Sequence, residues 1–261
     1  MGVITVSRQY GAGAQELVEK VSSRMGYRIV DRLEIQKKLI DIADEGTAKR
    51  VLAEKAPNII ERLTGDINVL KCLLKESILF FATQGRVILL GRGGFDILRN
   101  TKGVLNVLVT DIPDLRASHL SLTEKIKLAE AREKIRKVDR EKAGFIKYYC
   151  GVDWPDPWHF HLCLTPLSTG IEPCAEAVVK FAEILGVERD YAATGETIIQ
   201  EKHLLAAATN RIALNIGLDT DLFELSFAEA KTIEIRFFHV PPELREKSMR
   251  LLKDFTKDFK V

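Results

Sequence analysis

Short apolar runs alternate with longer amphipathic segments along most of the chain. Five runs have the length and composition of a buried strand: residues 3–6, 28–30, 86–90, 104–109 and 162–164. Between them, segments such as 66–83 and 172–185 carry apolar residues at helical spacing. Apolar strands that alternate with helices predict an α/β fold whose parallel sheet is covered on both faces.

The pattern changes after about residue 186. Apolar residues then follow helical spacing as far as Asn215, which predicts a helix. Thr197 and Gln200 have the spacing of a capping box, so we expect them at the start of that helix.

Two strands and a further helix complete the C-terminal region. Residues 223–227 and 233–237 alternate between apolar and polar positions, which predicts two strands joined by a turn near Ala230. Pro242 then opens an amphipathic helix. The order helix, strand, strand, helix predicts a small second domain over residues 190–261, and this order resembles that of a BON-type domain.

Composition and charge narrow the class of protein. The chain has 261 residues, 46% of them hydrophobic and 29% charged, and a net charge of +2. This is the composition of a globular protein, and the net charge gives no electrostatic case for nucleic acid or a membrane as the partner. No apolar run has membrane-spanning length and no signal peptide precedes the first strand, so we expect a cytoplasmic protein. The cysteines and histidines lack ligand spacing and predict no certain metal site.

A glycine-containing turn, residues 7–13, joins the first predicted strand to a helix. In this context backbone N–H groups and the helix dipole can bind phosphate. Set against the phosphate-loop pattern G-x-x-x-x-G-K-[ST], the turn has Arg8 at the first glycine, Ala14 at the lysine and Gln15 at the hydroxyl position. These residues alone leave two readings equally open, a phosphate site and a turn without a ligand.

Arginine and glycine recur at the predicted carboxyl ends of other strands. Asp31 and Arg32 follow the second strand, and the sequence GRGG at residues 91–94 follows the third. Ligands of parallel sheets bind at these ends. The glycines around Arg92 permit close backbone approach, and arginine can bind phosphate through two parallel hydrogen bonds. The pattern therefore favours phosphate binding.

Four segments, in this order, resemble the cytidylate kinase-like family, a branch of the P-loop nucleoside monophosphate kinases. They are ITVSRQYGAGAQEL, IVDRLEI, ILLGRGG, and KVDREKAGFIKYY followed by VDWPDPWHFHLCL. The resemblance covers about residues 3–185. It implies a three-layer P-loop kinase core with a parallel sheet over residues 1–189, a helical insertion at about 33–65 that binds the nucleoside monophosphate, and a mobile lid at about 122–150.

The resemblance also implies an activity, the Mg²⁺-dependent transfer of the γ-phosphoryl group of ATP to CMP or a similar small acceptor. The phosphates of ATP would be bound by Gly11, Ala12, Gly13, Ala14, Gln15 and Glu16. The acceptor would be bound by Asp31, Arg32, Arg92 and Gly93. The lid and the base of ATP would involve Arg116 and Asp139. The charge of the absent lysine would come from Arg8, or from Arg136, Arg140 or Lys142 in a closing lid.

The chain departs from the family pattern at two further positions. Lys142 replaces an arginine, and His161 stands where relatives commonly have aspartate. At the lysine position a small residue such as Ala14 is frequent in this branch. Mg²⁺ would need oxygen atoms of Gln15, Glu16, Asp111 or water.

Three functions therefore remain open. The first is the nucleotide kinase itself, and the second is a kinase acting on another small hydroxyl or phosphate compound. The third is a nucleotide sensor or scaffold without catalysis, whose residues 190–261 bind a partner. Nucleotides are the expected ligands, and these C-terminal residues are candidates for homo-oligomer or protein contacts.

Overall fold

The computed structural model describes residues 2–43, 66–229 and 232–256. They form two compact units. The first contains residues 2–35 and 78–199, and the second contains residues 36–43, 66–77, 200–229 and 232–256. The domain boundary near residue 190 stays a prediction.

The first unit is built on a five-stranded parallel sheet in the order β2-β3-β1-β4-β5. Its strands are β1 (Val3–Arg8), β2 (Arg28–Val30), β3 (Val87–Leu90), β4 (Val104–Val109) and β5 (Leu162–Leu164). All five predicted strands are present, and the predicted α/β class with a parallel sheet is confirmed.

Strand β1 lies at the centre of the sheet, where Val3 pairs with both Val87 of β3 and Val104 of β4. Every residue of β4 and all of β1 except Arg8 are buried. A strand covered on both faces has no solvent side, which is why apolar residues predominate in both strands rather than alternating with polar ones. The buried polar side chains Thr5 and Asn106 satisfy each other, since the Thr5 hydroxyl donates to Oδ1 of Asn106 (2.7 Å). Arg8 leaves the core at the carboxyl end of β1.

Helices follow the strands along the chain. They are α1 (Ala14–Met25), α2 (Arg32–Ile42), α3 (Asp66–Thr83), α4 (Gly94–Ile97), α5 (Pro113–Glu124), α6 (Leu128–Cys150), α7 (Pro166–Thr169), α8 (Ile171–Ile184) and α9 (Val187–Asp190). Apolar residues of α1 and α8, among them Leu17, Val21 and Val178, form one core cluster with Ile4 and Val107 of the sheet. The predicted insertion at 33–65 lies outside the described residues beyond position 43.

Helices α5 and α6 form a hairpin with a small core of its own. Ala117 and Leu120 of α5 pack against Ala131 and Ile135 of α6, and the ring of Tyr10 covers this cluster. The segment predicted as a lid, 122–150, is therefore the end of α5 and the whole of α6.

The second unit contains most of α10 (Glu196–Ile216), and also β6 (Phe223–Glu229), β7 (Thr232–Phe237) and α11 (Pro242–Phe255). β6 and β7 are antiparallel, with Phe223 opposite Phe237. Phe223, Ile212 and Val240 share a core cluster. The helix, strand, strand, helix order matches the sequence prediction, and the turn near Ala230 lies outside the described residues.

The predicted capping box at Thr197 is wrong. The chain is already helical through α9 and a π-helical turn, Tyr191–Gly195, which continues directly into α10. Thr197 therefore lies inside continuous helical structure and is not an N-cap residue. Within the described ranges, none of the helices has both the length and the apolar character needed to cross a membrane.

His161 pairs with Asn106 beside β4. The backbone N–H of His161 donates to the backbone carbonyl oxygen of Asn106 (2.8 Å), and the backbone N–H of Asn106 donates to Nδ1 of the His161 ring (3.0 Å). Burial lowers the pKa of His161, and a protonated Nδ1 could not accept this bond.

We expect the free energy of unfolding to fall as the pH is lowered from about 7.5 to about 5. The unfolded chain takes up a proton near pH 6.5, which the folded His161 resists, so protons favour unfolding. Urea titrations across this range will measure the effect. His161→Asn keeps an acceptor without the titration and should reduce the pH dependence. An unchanged pH dependence in this variant would contradict the assignment.

Candidate functional site

Two clefts adjoin at the carboxyl ends of β1 and β3. The arginine cleft is lined by Ser7, Arg8, Arg32, Leu90, Gly91, Arg92, Gly93, Lys142, Phe145, Ile146 and Trp154. The loop cleft is lined by residues 8–16 together with His119, Leu120, Thr123 and Lys142. Arg8 and Lys142 line both clefts, so two cations stand where the clefts meet.

The glycine turn after β1 reverses the chain into α1. Gly11 and Gly13 have φ angles of +74° and +73°, a conformation that glycine adopts without steric cost. Gly13 is the N-cap of α1 and provides no side-chain hydrogen bond. The first N–H groups of a helix have no partner within the helix. The floor of the loop cleft therefore presents backbone N–H groups and the positive end of the α1 dipole.

Ala14, at the lysine position of the phosphate-loop pattern, is only 6% exposed and belongs to the core cluster under the sheet. The neighbouring Gln15 and Glu16 line the loop cleft. Position 14 thus contributes packing and no charge. Positive side-chain charge at the loop comes instead from Arg8 and Lys142.

The guanidinium of Arg8 lies against the backbone of Gly91. A Cβ atom at position 91 would stand 2.3 Å from Nη1 of Arg8. Gly91 also has a φ of +85°. The sequence GRGG therefore does two things, since its first glycine makes room for Arg8 and its arginine enters the arginine cleft.

Arg92 is 8% exposed and lines the arginine cleft. Its Cζ atom lies 5.2 Å from the ring centroid of Phe145, which is a cation–π distance. Its φ of +57° is a left-handed conformation, which costs an L-residue about 1–2 kcal/mol. A buried cation held in a strained conformation is typical of a functional position, and the predicted role of Arg92 in binding the acceptor stays a prediction.

Arg32 lines the same cleft, whereas the neighbouring Asp31 caps a helix. Oδ1 of Asp31 accepts hydrogen bonds from the backbone N–H groups of Leu33 (2.8 Å) and Glu34 (3.1 Å) at the start of α2. Asp31 thereby fixes the start of α2, whose first residue is Arg32. Its predicted contact with the acceptor stays a prediction.

Helix α6 contacts the start of the glycine loop through two side chains. Asp139 accepts a hydrogen bond from the N–H of Tyr10 (2.8 Å), and Nζ of Lys142 donates to the carbonyl oxygen of Arg8 (3.2 Å). Asp139 also pairs with Nη1 of Arg116 (2.6 Å), whose guanidinium donates to the carbonyl oxygens of Tyr10 and Asp111, each at 3.1 Å. Arg116 and Asp139 are therefore in contact, and neither lines a cleft.

Arg136 and Arg140 are exposed on α6 and line neither cleft. Of the four cations proposed to replace the lysine, only Arg8 and Lys142 are brought together. The catalytic roles assigned to all four stay predictions.

The carboxylate of Asp111 is fully used within the protein. It accepts from the backbone N–H groups of Ile112 (2.9 Å), Leu167 (2.7 Å) and Ser168 (3.1 Å), and from the hydroxyl of Ser168. Desolvation opposes its ionisation, but these hydrogen bonds outweigh it and lower the pKa of Asp111. Four hydrogen bonds occupy the four lone-pair sites of a carboxylate, so Asp111 does not fit as a ligand of Mg²⁺.

Glu16 fits Mg²⁺ better, because this acidic residue lines the loop cleft and lies in the first turn of α1. Among the described residues, no group of three or more histidine, cysteine, aspartate or glutamate side chains could hold a metal ion. Mg²⁺ commonly binds through one or two carboxylates, phosphate oxygens and water. Gln15 and Glu16 are compatible with that mode.

Two aromatic residues at the site were missed by the sequence analysis. Tyr10 packs between cations, with Nζ of Lys134 and Lys142 at 5.7 Å and 5.4 Å from its ring centroid, and its hydroxyl donates to Glu124 (2.7 Å). Phe145 lines the arginine cleft. A usable signal existed for Phe145, because it follows Lys142 by three positions and so shares its helix face.

Comparisons with known proteins agree with this fold. The model of the cytidylate kinase-like family matches residues 3–166. A crystal structure of an uncharacterized protein from Eubacterium ventriosum ATCC 27560 has a TM-score of 0.56 and 12% sequence identity, and the match covers 70% of this chain and 99% of that one. At this identity the likeness shows the fold alone. A search of curated proteins gave no match. Since the family match spans more than half of the chain, the protein belongs to the cytidylate kinase-like family and has its kinase-like, nucleotide-binding fold.

Proposed function

We propose that the protein transfers the γ-phosphoryl group of ATP to a small phosphorylated acceptor, CMP or a similar compound. The observation that carries this proposal is the meeting of the two clefts at Arg8 and Lys142. One cleft has the chemistry for a polyphosphate and the other has the chemistry for a phosphomonoester. A reaction between two bound phosphates needs such an arrangement.

In the proposed complex, ATP occupies the loop cleft. Its phosphates bind the N–H groups of the glycine loop and the positive end of the α1 dipole. His119 and Thr123 of α5 line the same cleft and would border the nucleoside. Mg²⁺, held by phosphate oxygens, water and Glu16, would neutralise charge on the β- and γ-phosphates.

The acceptor occupies the arginine cleft. Arg32 and Arg92 would bind its phosphate dianion, and Phe145 and Trp154 would contact the body of the molecule. Trp154 is itself fixed, because its Nε1–H donates to the hydroxyl of Ser7 (2.8 Å). This wall of the cleft is therefore organised before the acceptor binds.

During transfer an acceptor oxygen forms a bond to the γ-phosphorus, and the bond from that phosphorus to the β,γ-bridging oxygen breaks. The charge of the transferring group is spread over its equatorial oxygens, so catalysis consists mainly of positioning and charge neutralisation. Arg8 and Lys142 line both clefts and would neutralise that charge. Lysine at position 142 keeps the charge of an arginine but not its two parallel hydrogen bonds.

A nucleotide sensor without catalysis is the second candidate. Two observations favour it: Ala14 is buried in the core, and the Asp111 carboxylate is already saturated with hydrogen bonds. The loop would then bind a nucleotide with less positive charge and fewer metal ligands than transfer requires. Residues of the second unit would carry the output to a partner.

The two candidates separate in one pair of measurements, thermal unfolding with ligands and coupled ADP release with a panel of monophosphates. A ligand that binds only the native state at 100 times its Kd stabilises it by about 2.7 kcal/mol. We expect ATP with Mg²⁺ and CMP each to raise the midpoint temperature of thermal unfolding, and a bisubstrate analogue to raise it further. We expect ADP release to require an acceptor. Binding of one nucleotide without ADP release for any acceptor would instead support the sensor.

A further inference from the structure

The peptide groups at the start of the glycine loop are fixed by α6. Asp139 binds the N–H of Tyr10 and Lys142 binds the carbonyl oxygen of Arg8, so both sides of Gln9 are held. The two side chains are three positions apart and share one face of the helix. The orientation of the loop backbone thus depends on where α6 lies.

Arg116 completes this arrangement from α5. Its Nη1 binds both the carboxylate of Asp139 (2.6 Å) and the carbonyl oxygen of Tyr10 (3.1 Å). The Tyr10 residue is therefore held at its N–H by the anion and at its carbonyl by the cation of the same pair. Asp139 also places a negative charge beside a loop that is to bind phosphate, and Arg116 cancels that charge.

We propose that Asp139 and Arg116 are positioning residues for the ATP phosphates. They set the peptide orientation at Tyr10 and keep the potential at the loop positive, and they link the position of α6 to the shape of the loop. This inference rests on the proposed function. It assigns Arg116 a role away from the base of ATP, because its guanidinium is engaged by Asp111, Tyr10 and Asp139.

A second ion pair between the same helices provides a matched comparison. Arg132 of α6 and Asp114 of α5 pair at 3.0 Å, with side-chain exposures of 47% and 76%, against 5% and 17% for Arg116 and Asp139. We call Arg116 with Asp139 the inner pair and Arg132 with Asp114 the outer pair. If the inner pair served only to join α5 to α6, breaking the outer pair would affect ATP binding in the same way. Only the inner pair contacts the glycine loop.

Charge accounting gives the decisive test. Arg116→Met leaves the Asp139 carboxylate uncompensated near the phosphates, so we expect the KM or Kd for Mg²⁺-ATP to rise about 10- to 100-fold. Asp139→Asn keeps an acceptor for the N–H of Tyr10 and should raise the KM or Kd for Mg²⁺-ATP only about threefold to tenfold. The double variant removes both charges and should bind ATP more tightly than Arg116→Met alone. The KM for the acceptor should change less than twofold throughout, and Asp114→Asn should behave as the wild type.

Hydrogen exchange of the loop peptides provides a readout that needs no ligand. In Asp139→Ala and in Arg116→Met/Asp139→Ala, which remove the acceptor of the Tyr10 N–H, the Tyr10 amide should exchange faster than in the wild type, while amides of β4 stay protected. If Arg116→Met weakens ATP and the acceptor equally, or if the double variant Arg116→Met/Asp139→Asn is no better than Arg116→Met, the proposal is overturned. If the wild type binds no nucleotide, the proposed function fails, yet faster Tyr10 exchange in the variants would still support the positioning role and unchanged exchange would reject it.

Discussion

Replacing Arg92 with lysine is expected to weaken binding of the acceptor phosphate about 10- to 100-fold while ATP binding stays within about twofold. Arg92 is buried in the arginine cleft, stacked on the ring of Phe145, and absent from the lining of the loop cleft. Lysine keeps the charge but loses the planar fork that binds two phosphate oxygens at once. Calorimetric titration with CMP, and separately with an ATP analogue, will measure both affinities.

Two further variants separate this loss from unfolding. Arg92→Gly removes the side chain but relieves the left-handed backbone strain, so we expect acceptor binding to vanish with a change in unfolding free energy of no more than about 1 kcal/mol. Arg99 lies seven positions away, pairs with Asp96 outside the cleft, and serves as the control. Equal loss of acceptor binding in Arg99→Ala would show that the effect is a general one of positive charge.

The central strands could be predicted from the sequence because the apolar pattern that defines each strand lies within its own few residues. Most buried positions of β1 and β4 are apolar, with Thr5, Ser7 and Asn106 as the polar exceptions, and this pattern has few structural alternatives to a covered parallel strand. Helix α3 matches its prediction over residues 66–83 for the same reason, since its apolar residues follow one period. The cap at Thr197 was predicted wrongly, because the π-helical turn that joins α9 to α10 leaves no sequence signal comparable to a cap.

Only part of the candidate site could be predicted from the sequence. Arg92 and the glycine loop stand out because they follow predicted strands, at the end of a parallel sheet where ligands bind. The contact of Tyr10 with Asp139 joins residues 129 positions apart, and a contact of that range follows from packing of α5 and α6 rather than from any local pattern. The same holds for Arg8, whose position against Gly91 could not be inferred from either residue alone.

The second large effect is expected at Arg8. Replacing Arg8 with methionine should lower kcat roughly 10³-fold while the Kd for ATP rises less than about tenfold, because a cation that meets both clefts acts mainly on the transferring group. Single-turnover measurements of ADP formation, with equilibrium titration of ATP, will separate the two quantities. A change in Kd as large as the change in kcat would show that Arg8 binds ATP in the ground state instead.

A substitution at Gly91 tests the role of Arg8 without changing Arg8 itself. In Gly91→Ala the new Cβ would stand 2.3 Å from Nη1 of Arg8, so the guanidinium must move and kcat should fall as it does in Arg8→Met. Gly26→Ala imposes a similar left-handed strain, at a φ of +63° and near the side chain of Arg86, but away from both clefts, and should keep the wild-type kcat. If Gly91 acts through Arg8, the double variant Arg8→Met/Gly91→Ala will be no slower than Arg8→Met by more than about twofold, since the two changes remove one interaction. Additive losses would instead mean that Gly91→Ala acts through its own backbone, and that the placement of Arg8 does not explain the glycine.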